Sequence, residues 1–147
     1  MFNASEIEIH YKSKVKAKDR TQVRSSKEIY EVLKGVYDFN KIEHKEFFYA
    51  MYLNNQMKII AIMLIGEGGV SCVTADPKLI IQGALKVNAT QIVLTHNHPS
   101  GGLRPSQADK TITDTVKQVC KFLDMILVDH VILTSEGYYS FADEGEI

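Results

Sequence analysis

Residues 91–109 read QIVLTHNHPSGGLRPSQAD, and their reading decides the fold. Ile92, Val93 and Leu94 make a short apolar run of the kind a buried strand shows. The run ends in Thr95-His96-Asn97-His98, and Pro99-Ser100-Gly101-Gly102 is loop chemistry. Pro105-Ser106 then opens a long helix. In it Ile112, Val116, Val119, Cys120 and Leu123 fall on one apolar stripe.

Working outward, Ile126 to Leu133 and Tyr138 to Phe141 read as closing strands, with Glu136-Gly137 turning between them. Upstream, Asp76-Pro77 starts a helix: a capping acceptor precedes a proline at the first helical position. That helix runs to about Val87 and closes at Asn88. Glu46 to Leu53 and Lys58 to Ile65 read as a hairpin joined at Asn54-Asn55-Gln56. Gly66, Gly68 and Gly69 mark a turn, and Val70 to Ala75 suits a third strand. Ser26 caps an earlier helix in which Ile29, Val32, Leu33 and Val36 share a face. At the start, Ile7, Ile9 and Tyr11 alternate with Glu8, His10 and Lys12, as in a strand with one wet face. The order predicts an α/β domain, a mixed sheet flanked by helices. Residues 1–24 read as an N-terminal strand and basic extension, and 25–147 as the domain.

The bulk composition narrows the function classes. A chain of 147 residues, 45% hydrophobic and 24% charged, fits one ordinary globular domain. Its core needs no metal staple, so a metal would serve chemistry. A formal net charge of -1 argues against a sequence-blind nucleic-acid binder. Lys12, Lys14, Lys16, Lys18 and Arg20 form a local basic cluster, read as a solvated edge or tail. Cys72 and Cys120 form no CxxC and read as free thiols of a reducing cytosol. There is no apolar signal core, and the run Ile59 to Ile65 is too short to span a bilayer. The expectation is a cytoplasmic protein without a membrane partner.

The chemistry lies in His96, His98 and Asp109. Histidines at i and i+2 in extended chain project from one side. The Pro/Gly loop can fold back and deliver Asp109, in the first turn of the next helix, as a third ligand. Two imidazoles and a carboxylate suit Zn²⁺ and leave a fourth position for water. Zinc lowers the pKa of that water to about 7. A carboxylate from a separate element would shuttle its proton. Glu46, beside Phe47-Phe48-Tyr49, is the candidate and Glu43 its competitor. Ser106 is a candidate donor to a developing oxyanion.

Each residue also has a plainer reading. Ser106 and Asp109 fit a capping box, the histidines fit structural hydrogen bonds, and Glu46 fits a strand-edge charge. Their combination favours the metal. His10, His44 and His130 lack such spacing and are left structural, with Asp129-His130 a hydrogen-bonded pair. No nucleophile accompanies that pair to make a triad. The zinc-deaminase signature, H-x-E with P-C-x-x-C, is missing.

The segment from His96 to Asp109 resembles the JAMM motif, H-x-H-x(7)-S-x-x-D, without a gap. More narrowly, His96-Asn97-His98-Pro99-Ser100-Gly101 with Pro105-Ser106-Gln107-Ala108-Asp109 is similar to the RadC family. So are Asp76-Pro77, Ala84-Leu85 and Asn88-Ala89, then Leu127 to Ile132 and Gly137 to Phe141. The resemblance covers roughly Ser25 to the C-terminus. It implies a JAMM/MPN+ fold, a three-layer architecture like that of the cytidine deaminases. It implies His96, His98 and Asp109 as ligands, Glu46 as the glutamate of the first core strand, and Ser106 as the family serine. Longer RadC proteins carry an N-terminal helix-hairpin-helix domain, for which the residues before the first helix leave no room. In related JAMM proteins the reaction is peptide or isopeptide hydrolysis.

The leading expectation is therefore a zinc peptidase or isopeptidase acting on a peptide or protein. A second is a RadC-type DNA-repair or DNA-processing accessory, resting on the family label and the basic start. Phosphodiester cleavage often uses two metals about 3.5–4 Å apart, and the sequence offers ligands for one. A third is a non-catalytic binding module that kept a structural metal or none; the Gly66–Gly69 turn offers an edge where an extended peptide adds as a strand, which suits such a module or a peptidase alike.

Overall fold

The structure, a computed structural model, describes residues 3–69 and 74–147. Among these residues five strands make one mixed sheet: β1 Phe47–Leu53, β2 Ile59–Glu67, β3 Gln91–Asn97, β4 Ile126–Leu133 and β5 Tyr138–Ser140. Three α-helices accompany it: α1 Ser26–Lys34, α2 Pro77–Lys86 and α3 Gln107–Phe122. The sheet order is β2-β1-β3-β4-β5. Only β3 and β4 pair in parallel, and α3 is the crossover between them.

The alternation of strand residues sorts the core into two layers. Phe48, Ala50 and Tyr52 of β1 and Ile92 and Leu94 of β3 meet Ile80 and Ala84 of α2 and Val116 and Cys120 of α3. Met51, Leu53 and Val93 point the other way, onto Ile29 and Leu33 of α1. The chain is thus an α/β three-layer domain, helices on both faces of the sheet, as the sequence predicts. None of its described helices is long and apolar enough to cross a membrane.

The elements stop where their chemistry says they should. Asp76 caps α2 by accepting from the Lys78 N–H at 2.8 Å, with Pro77 in the first turn. Asn88, at φ 55°, turns the chain out of that helix toward β3. α2 approaches β1 so closely that Gly83 touches the Tyr52 ring, whose hydroxyl donates to the Ile80 carbonyl at 2.9 Å.

Three local expectations differ. The alternating residues 7–11 form no strand, and Ile7 and Ile9 are 83% and 77% exposed. The start of the β2 edge is taken instead by residues 21–23: Ile59 N–H donates to the Thr21 carbonyl, and Val23 N–H to the Met57 carbonyl. The cap of α1 is Ser25, which accepts from the Glu28 N–H, so Ser26 is already helical. On α3, Leu123 is half-exposed, while Asp109 and Thr113 join Val116 and Cys120 on the buried face. The strand expected over Val70 to Ala75, and Cys72 with it, falls largely outside the described residues. Thr74 and Ala75 are not in a strand.

The Gly83 contact yields a test. A Cβ there would sit 2.1 Å from the Tyr52 hydroxyl oxygen. Gly83→Ala gains helix propensity but overpacks, and should lower stability by about 1–3 kcal/mol. An unchanged urea midpoint would show that α2 and β1 separate freely.

Candidate metal centre

β3 faces α3 with its even-numbered residues, so His96 points toward the helix that follows it. It is fully buried, its ring lying parallel to that of Phe48, its β1 neighbour, at 5.6 Å. His98 extends the strand by one more ladder bond, its N–H donating to the Leu133 carbonyl at 2.9 Å. The chain then reverses through Gly101, whose φ of 83° suits glycine. The reversal brings the Gly102 carbonyl to 2.6 Å from His98 Nδ1. A carbonyl only accepts, so Nδ1 carries the proton and Nε2 keeps its lone pair.

Asp109 arrives from α3. It is the third residue of that helix, and Ser106 is the cap. Ser106 Oγ accepts from the Asp109 N–H at 3.1 Å, and Ser106 N–H donates to Asp109 Oδ2 at 2.6 Å. The capping box therefore forms, and it aims the carboxylate at the histidines. Oδ1 lies 3.1 Å from His96 Nε2 and Oδ2 3.4 Å from His98 Nε2. The two Nε2 atoms are 3.0 Å apart. The structure thus brings His96, His98 and Asp109 together, their donor atoms all within 4.8 Å of one another. It is the one such cluster of three or more among the described residues.

This donor set fits a divalent metal ion. Lone pairs of two imidazoles and a carboxylate converge on one point, and a cation is what satisfies them together. Burial pushes the Asp109 carboxyl up, but the imidazoles of His96 and His98 beside it outweigh burial. The group lies well below the usual carboxylate range and stays ionised. A proton added at Nε2 would be held by Asp109, which raises His98, against burial, which lowers it. A proton therefore competes with a metal for His98 Nε2.

Glu46 immediately precedes β1 and is buried, 7% exposed, with Oε1 3.9 Å from His96 Nε2. Glu43, the competitor, is exposed. Between α2 and the start of α3 runs a cleft of about 520 Å³ that reaches Glu46 and Asp109. Its walls include Phe48, Ala75, Pro77, Ile112, Thr111 and Thr115. A larger groove of about 910 Å³ runs along the far end of α3 past Lys117 and Ile126. It touches none of these site residues, so the chemistry places the site in the smaller cleft.

Three site residues escape a reading of motifs. Asn97 faces away from His96 and uses its whole amide. Its Nδ2 donates to the Ile42 and Lys45 carbonyls, and its Oδ1 accepts from Phe47 N–H. It thereby fastens residues 42–47 around Glu46. His130, set aside as structural, sits with Nε2 2.8 Å from His96 Nδ1. Burial holds its imidazole far below the ordinary histidine value, so it is uncharged at neutral pH. Thr113 contacts His130 Nδ1 at 2.7 Å. The Asp129-His130 bond also exists, but it runs from the His130 backbone N–H to Asp129 Oδ1. His10 pairs with Glu8 on the surface, and His44 is exposed.

A mixed sheet with a His-x-His strand end and a capped helical aspartate makes a donor set of the JAMM type. Residues 23–146 match the family described as RadC-like JAB domain. The chain is also similar to a UPF0758 protein of Flavobacterium johnsoniae, 39% identical over 124 residues, 84% of this chain and 53% of the relative. The chain belongs to the RadC family of the JAMM/MPN superfamily, whose members are generally metal-dependent hydrolases. It spans about half the length of the relative it matches.

The competing proton predicts a pH dependence. Metals bind the neutral imidazole, and the His98 pKa is raised, so metal affinity should climb as pH rises through that pKa, by up to about tenfold per unit. His98→Ala should weaken binding by more than the ~10–100-fold typical of an outer-shell loss. Chelator competition at pH 6, 7 and 8 measures both effects. A pH-independent affinity would remove His98 from the ligand set.

Proposed function

We propose that this chain is a zinc-dependent peptidase or isopeptidase with Glu46 as its general base. The observation that carries the reading is Glu46 itself, a buried carboxylate beside the metal donor set and lining a cleft. Zinc, when bound at His96, His98 and Asp109, supplies Lewis acidity toward water and a carbonyl oxygen. The chain's own residues do the rest. Glu46 takes a proton from the attacking water on a carboxylate oxygen and returns it to the leaving amine. Such acid–base transfer contributes about 10²–10⁴-fold. Ser106 accepts the Asp109 N–H through Oγ, and its hydroxyl proton is available to a developing oxyanion. Among the described residues the cleft walls carry no basic side chain, and they place apolar surface beside threonine hydroxyls. They suit a neutral substrate side chain rather than an acidic one. A peptide or protein is the partner this chemistry requires.

Glu46→Gln keeps the shape and removes the base. It should retain metal while hydrolysis falls by about 10²–10⁴-fold. The assay is zinc-loaded protein against a fluorogenic peptide library and lysine-linked isopeptide probes, with metal content measured in parallel. Undiminished turnover in Glu46→Gln would remove Glu46 from the mechanism. No cleavage by zinc-loaded wild type across both substrate sets would overturn the peptidase reading.

A further inference from the structure

His96 Nδ1, His130 and Thr113 form one buried line, and the direction of every hydrogen bond in it can be worked out from its far end. Thr113 Oγ1 lies 2.6 Å from the Asp109 carbonyl oxygen, which can only accept. The single hydroxyl proton is therefore given to that carbonyl, and Thr113 meets His130 Nδ1 at 2.7 Å with a lone pair. His130 Nδ1 must then be the protonated nitrogen. His130 is fully buried, with Thr113 and His96 rather than a carboxylate at its ring nitrogens, so it carries one proton; Nε2 is bare and accepts from His96 Nδ1 across 2.8 Å. With its proton on Nδ1, His96 presents a bare Nε2 to His98 and Asp109.

We propose that Thr113 and His130 are positioning residues that fix His96 in the Nδ1–H tautomer, so that Nε2 is the atom offered to the metal. This inference rests on the metal reading of the site. Packing locks the line. His130 is fully buried, stacked on Phe141 at 4.9 Å and edge-on to Phe48 at 5.6 Å. The line also closes on itself: it ends at the backbone carbonyl of Asp109, the residue whose side chain is the third ligand. His98 reaches the same tautomer by a shorter route, through the Gly102 carbonyl. The partly buried imidazole takes a loop carbonyl, and the fully buried one takes a second histidine because β4 is its neighbour. Outer partners of this kind set ligand basicity and orientation, and their loss costs about 10–100-fold in metal affinity.

The test is zinc affinity by chelator competition, with tautomers read by imidazole ¹⁵N NMR. In zinc-loaded wild type, His96 should coordinate through Nε2 and keep a slowly exchanging proton on Nδ1. His130→Leu should bind zinc about 10–100-fold more weakly, and His130→Gln, whose amide oxygen can still accept from His96, should recover most of that. Thr113→Val is nearly isosteric, so it decides the matter if His130→Leu fails to fold. It should weaken zinc binding and return the Nδ1 proton of His96 to fast exchange. Wild-type affinity in Thr113→Val, or coordination of His96 through Nδ1, overturns the assignment while leaving the metal site standing. Wild-type protein that takes up no zinc overturns the metal reading and this inference with it.

Discussion

A helix must satisfy its first four N–H groups, and a buried carboxylate must find donors or a cation. Asp109 meets both demands at once. Its Oδ2 accepts from the Ser106 N–H at 2.6 Å, which starts α3, and both oxygens lie 3.1–3.4 Å from imidazole nitrogens. Cap and candidate ligand are therefore not alternatives, although each alone accounts for an S-x-x-D pattern. Successive helical residues are about 100° apart. Starting α3 one residue later would swing Asp109 off the histidines. Ser106 and the preceding Pro105 thus set the angular position of a candidate ligand as well as the end of a loop. The crossover from β3 to β4 depends on the same start, because α3 lays Val116 and Cys120 on the sheet from it.

The sheet was legible because its signals are local. Apolar runs, the Asn54-Asn55-Gln56 connection and the Asp76-Pro77 cap each act within a few residues. The His96-x-His98 spacing was legible for the same reason: extended backbone alone puts both rings on one side. Alternation at residues 7–11 misled because alternation is necessary for a half-buried strand and not sufficient. A strand also needs an unpaired edge. At the start of β2 that edge bonds residues 21–23, and Ile7 and Ile9 stay in solvent. The helix α1 was placed correctly in kind and one residue off in its cap, since Ser25 and Ser26 offer the same hydroxyl.

The outer partners of the site are invisible to spacing because they are set by register. His130 meets His96 across 34 residues of chain, through parallel pairing that puts Ile132 beside His96 and His130 beside Leu94. Nothing near Val131 announces this. Thr113 looks like an ordinary polar residue inside a helix until its face is known to be buried against β4. Asn97 is similar, with partners 50 to 55 positions away.

Register also explains why the strand end carries His-Asn-His and not three ligands. Neighbouring residues on a strand face opposite sides. His96 and His98 turn toward α3, where Asp109 waits. Asn97 turns to the other layer, where its amide bonds the segment 42–47 on both sides of Glu46. One tripeptide so fixes the donor set with two side chains and the approach of the candidate base with the third. A one-residue slip of β3 against β1 would exchange these faces and lose both functions together. Antiparallel pairing on the β1 side and parallel pairing on the β4 side hold β3 against that slip. The centre of the sheet, rather than a flexible loop, therefore sets the spacing between Glu46 and His96.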